Sequence, residues 1–144
     1  MVRNVANLVP PFENGPSETN AALEFAVNFL KVENILVIGH SCCGGIRALM
    51  SMQDGADSSF ISSWVLVGKN ARLRTRATAS SLSFDQQCSH CEKVTCFLGS
   101  ISFTKVETPS GQNLLLLGFY GSSSLRFGEV QTSLFFRNQL TIHC

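Results

Sequence analysis

Four successive branched apolar residues, Ile35 to Ile38, run directly into Gly39-His40-Ser41-Cys42-Cys43-Gly44-Gly45. No other feature constrains the fold as tightly, because an apolar run without polar alternation needs a strand buried on both faces. Ahead of it, Leu23, Ala26, Val27 and Leu30 recur at the spacing of one helical face. A helix is expected from about Ala21 to Val32, with Asn20 as N-cap and Lys31 in the last turn, where a cation suits the helix dipole. The residues from Val2 to Val9 read as a first β-branched strand, stopped by Pro10-Pro11. Strand, helix and strand in this order make a βαβ unit. The expected fold class is therefore α/β, a mostly parallel β-sheet flanked by helices.

Beyond Gly45 a helix is expected from Ile46 to about Met52, with a turn at Asp54-Gly55. From Ser58 to Arg76 the apolar residues Phe60, Ile61, Trp64, Val65, Val67 and Leu73 predict an amphipathic helix. Lys69, Arg72, Arg74 and Arg76 are expected on its solvated face. The composition shifts near Val94. From there to Cys144 only five residues are charged, Phe and Ser abound, and the helical period is lost. Strand-like fragments stand at Leu114 to Tyr120 and Val130 to Phe136. The chain is thus divided into a core fragment, 1–93, and a divergent tail, 94–144, of the kind an altered reading frame or retained non-coding sequence produces.

Composition excludes several partners. The formal net charge of +1 gives no footprint for nucleic acid or an anionic membrane surface. The longest apolar runs are too short to span a bilayer, and the first residues carry no secretory h-region. The chain as given is expected to be soluble and, by default, cytoplasmic. Six cysteines without an export signal point to metal binding or packed thiols rather than a disulfide framework.

Parallel sheets bind ligands at the carboxyl ends of their strands. His40 and Cys43 stand at such an end, three positions apart, with glycines that let the backbone turn sharply. An imidazole and a thiolate so placed can converge on zinc, which accepts mixed N/S ligands. On spacing alone the pair reads more readily as a packed histidine and thiol, with placement at the strand end raising the metal reading. Cys88 and Cys91 have zinc-knuckle spacing, but a single such pair reads better as packed thiols on a helix.

Resemblance adds what spacing leaves open. The run Val2-Arg3-Asn4-Val5-Ala6-Asn7-Leu8-Val9-Pro10-Pro11, the segment Ala21 to Val27, and Leu30 through Ile46 with His40-Ser41-x-Cys43-Gly44-Gly45 resemble the plant-type β-carbonic anhydrases. Ser63-Trp64-Val65 and Phe84 to Lys93 extend the match. The resemblance implies zinc-dependent, reversible hydration of carbon dioxide to bicarbonate, with Zn2+ as cofactor and a homo-oligomer as the working form. It places His40 and Cys43 on the metal, and Val5, Phe25, Gly44 and Gly45 around the substrate pocket. Cys42 departs from the family pattern. The family's upstream Cys-x-Asp-Ser-Arg motif precedes the residues matched from Val2 on. The chain is accordingly expected to be a truncated member with an incomplete version of the fold and no assigned catalytic acid or base. The alternative expectation is a catalytically inactive member that acts at most as a subunit or interaction module. Plant members of the family often work in chloroplasts or mitochondria, and either compartment is open for a full-length parent.

Overall fold

The computed structural model describes residues 1–11, 14–53, 59–102, 115–121 and 139–143, with side chains through residue 95. In chain order its elements are β1 (Val2–Arg3), a 3-10 turn (Val5–Asn7), α1 (Glu18–Asn28), β2 (Asn34–His40) and α2 (Gly44–Ser51). There follow α3 (Phe60–Val65), a 3-10 turn (Leu66–Gly68), α4 (Lys69–Thr78), α5 (Phe84–Ser102), β3 (Leu115–Gly121) and β4 (Gln139–His143). The strands form one parallel sheet in the order β1-β4-β2-β3. β2 lies inside it, with Leu36 opposite Leu117 on one side and Thr141 on the other. This is the parallel α/β arrangement that the apolar run of β2 demands.

Helices cover both faces. Ile35 and Val37 of β2 pack with Leu23, Ala26, Val27 and Val32 from α1 and the loop after it. Alternation along the strand sends Leu36, Ile38 and His40 to the opposite face. There a second core joins Ala6, Leu8, Cys43, Ile46, Leu49, Met50, Val65, Ala71, Cys88 and Cys91. That core, built by α2 to α5 and the first 3-10 turn, carries the candidate site.

Several local expectations are corrected. The Val2–Val9 strand stops at Arg3, because Asn4 captures the chain with its side chain. Its Oδ1 accepts the Leu8 N–H at 2.8 Å, and its Nδ2 donates to the Leu8 carbonyl at 2.8 Å and to Thr19 Oγ1. Helix α1 begins earlier than expected. Ser17, not Asn20, is its N-cap, accepting the Asn20 N–H at 3.1 Å. Lys31 lies beyond the helix, in the left-handed region at φ 52°. The amphipathic stretch 58–76 is two helices broken at Leu66–Gly68, where Leu49 and Leu8 press against Gly68. Arg72 is buried rather than solvated, its guanidinium donating to the Met52 carbonyl. Helix α5 continues through Val94 to Ser102, so the loss of charge there is not a loss of helix. The 114–120 fragment corresponds to β3; the 130–136 fragment lies outside the described residues.

Candidate metal centre

The site is the turn from β2 into α2. His40 is the last residue of β2, and Cys43 is the N-cap of α2. Between them Cys42 takes a left-handed conformation, φ 58°, which reverses the chain within three residues. The reversal sends the two adjacent cysteines opposite ways: Cys43 is 5% exposed in the core, whereas Cys42 faces solvent. His40 Nδ1 lies 2.8 Å from the Ser41 carbonyl oxygen. A carbonyl only accepts, so Nδ1 carries the proton and the Nε2 lone pair is left for a metal. Glu92, 6% exposed on α5, accepts the Cys43 backbone N–H at 2.7 Å and ties the turn to that helix. Ala6, Asn7, Gly39, His40, Cys43, Ile46, Glu92 and Thr95 line a small, partly open cavity of about 10 Å³.

A family model described as carbonic anhydrase matches residues 1–101. The chain belongs to the β-carbonic anhydrase family. It is 70% identical over 93 residues to β-carbonic anhydrase 5, chloroplastic, of Arabidopsis thaliana, a match covering 64% of this chain and 31% of the relative. It is 63% identical over 94 residues to β-carbonic anhydrase 6, mitochondrial, of the same plant, covering 64% of this chain and 32% of the relative. The chain thus spans about a third of the length of these relatives. Among solved structures it is similar to a tetrameric β-carbonic anhydrase from Sordaria macrospora. The TM-score is 0.68 at 26% identity, with 83% of this chain and 61% of that chain covered.

Against the β-carbonic anhydrase pattern, the residues singled out from sequence separate into two groups. His40 and Cys43 both line the small cavity. Gly44 and Gly45 open α2 beside them, with different constraints. A Cβ on Gly45 would stand 2.8 Å from Ala6 Cβ and from Val5 Cγ1, whereas one on Gly44 would meet nothing within 4 Å. Gly45 is therefore what lets α2 approach the Val5–Asn7 turn. Val5 and Phe25 are not among the cavity residues. Val5 is 48% exposed and accepts the Trp64 Nε1–H at its carbonyl, 2.8 Å away. Phe25 is 52% exposed on α1 and stacks on Phe29.

β-Carbonic anhydrases are generally zinc enzymes, and the donor chemistry of His40 and Cys43 suits zinc at two of its four positions. Among the described residues no group of three His, Cys, Asp or Glu side chains stands where it could hold one ion. Two residues at the site escaped the sequence reading as site residues. Glu92 shares a helical stripe with Cys88, Cys91 and Thr95, all buried, so an acid on a core-facing stripe was the available signal. Asn7, a polar residue inside the apolar run Val5 to Val9, carried the same kind of signal.

Proposed function

We propose that this chain supplies the His40/Cys43 half of a zinc site for the reversible hydration of carbon dioxide to bicarbonate and a proton. The observation that carries the reading is the buried Cys43 beside His40, at the carboxyl end of a central parallel strand in a β-carbonic anhydrase fold. Zinc bound there would supply a water acidified to a pKa of about 7. The chain's own contribution is positional. The Ser41 carbonyl orients the His40 ring, Glu92 holds the Cys43 backbone, and Gly45 seats α2 on the Val5–Asn7 turn. Val5, Phe25, Gly44 and Gly45 are proposed to shape the substrate pocket. The half-exposed Val5 and Phe25 would be covered in an oligomer, an assembly supported by the tetrameric relative. The family-like core is proposed to end near residue 93, and the organelle names of the relatives support a plastid or mitochondrial parent.

One specific observation favours a second reading. With no set of three donors among the described residues, the chain would act as an inactive subunit or interaction module. A single experiment decides. The purified full chain is measured for bound zinc and for carbon dioxide hydration beside His40→Ala and Cys43→Ser. Stoichiometric zinc and a hydration rate, both lost in the two variants, are expected. Zinc-free, inactive wild-type protein would overturn the first reading and leave the second.

A further inference from the structure

Asn7 is 3% exposed, yet neither its Nδ2 nor its Oδ1 has a hydrogen-bond partner among the described residues. The contrast with Asn4, three residues earlier, is sharp, because both amide atoms of Asn4 are bonded. Leaving a buried amide unpaired costs about 1–3 kcal/mol per group, so such a side chain in a folded core calls for a partner. Asn7 lines the cavity it shares with His40, Cys43, Glu92 and Thr95. That volume, about 10 Å³, is close to the 10–15 Å³ that one water requires. The walls also have the right chemistry, since an amide offers donors and an acceptor and His40, Glu92 and Thr95 bring further polar side chains to the same lining.

We propose that Asn7 is a positioning residue that holds one buried water in this cavity, and that the water links the 5–7 turn to the His40–Cys43 pair. The role differs from that of a metal-bound water, because the molecule is held by an amide and is present without metal. The backbone supports the assignment. Asn7 sits at φ 52°, a left-handed conformation that asparagine tolerates better than most residues. The hydration site stands independently of the zinc reading; its effect on zinc affinity rests on that reading.

The first test is a crystal structure of the zinc-free full chain at a resolution that shows ordered water. A density peak within about 3.2 Å of the Asn7 amide, inside the cavity, is expected. An amide bonded directly to protein atoms, or a cavity filled by another segment, would overturn the proposal. The second test measures zinc affinity by chelator competition, and the spectrum of the cobalt-substituted site, in Asn7→Gly and Asn7→Ala. Glycine takes the left-handed backbone at no steric cost and alanine at some cost, as Ala6 does here, so a purely conformational role would spare the glycine variant. The water-mediated role predicts that both weaken zinc by between about 10- and 100-fold and alter the cobalt spectrum. Wild-type affinity and spectrum in Asn7→Gly would refute the coupling to the metal pair. Failure of the wild-type chain to bind zinc would count against the zinc reading, while the density in the zinc-free crystal would still decide the water.

Discussion

Two cysteine pairs in this chain show how position decides what a thiol can do. Cys42 and Cys43 sit on a strand-to-helix turn, where the left-handed Cys42 turns one side chain to solvent and the other inward beside an imidazole. Cys88 and Cys91 lie one turn apart on α5, both inside the core. Burial pushes the Cys91 thiol up, only partly offset by the Thr75 and Thr95 hydroxyls. Burial likewise raises Cys88, against the opposing pull of Arg47. A thiol whose ionisation is suppressed is a poor ligand and nucleophile. The Cys-x-x-Cys spacing, attractive in sequence, therefore marks packing, while the less regular His-x-x-Cys is the pair proposed as the site.

Substitution should widen this contrast. Cys43→Ser should weaken zinc by more than the ~100-fold that outer partners typically cost, whereas Cys91→Ala should leave affinity unchanged. Chelator competition on both proteins measures the difference, and equal losses would erase the distinction. In the turn itself, Gly45→Ala should destabilise the fold by about 1–3 kcal/mol, because the new methyl meets Ala6 and Val5 at 2.8 Å. Glu92→Gln keeps an acceptor for the Cys43 N–H but removes its charge, so urea unfolding should show a loss of about 1 kcal/mol.

A pH effect follows from the α5 pair. With Cys91 raised above its unfolded value, the folded chain holds that proton while the unfolded chain releases it. The stabilisation is complete below the unfolded thiol value and is lost as pH rises past about 8.5. Cys91→Ala should flatten this alkaline decline in a plot of stability against pH. Smallest of all, Gly44→Ala should change stability by no more than about 0.5 kcal/mol, since nothing stands within 4 Å of the added methyl.

Where one periodicity governed a segment, the sequence was readable. The apolar run of β2 is buried on both faces, and Leu23, Ala26 and Val27 of the expected α1 face pack against it, whereas Leu30 lies beyond the helix and is exposed. Reading failed where a side chain or a contact overrode local preference. Asn4 diverts a β-branched run into a 3-10 turn through two bonds to Leu8, and no propensity encodes that capture. Gly68 breaks a continuous amphipathic pattern because Leu49 and Leu8 crowd it, a tertiary fact invisible to spacing. The site divides the same way. His40 and Cys43 were candidates from their place at a strand end and were assigned to a metal only through the family resemblance, whereas Glu92 gained its contact with the turn only when α5 folded over it.

The strand order has a consequence for how the molecule comes into being. β4, from the last residues of the chain, lies between β1 and β2 and pairs with both. β1 therefore has no place in the sheet until the carboxyl-terminal segment has been synthesised and has docked. Such long-range parallel pairing is slow, because a large loop must close before any contact rewards it. On the ribosome, β1 would emerge well before its strand partner and be paired in the sheet only once β4 had followed it.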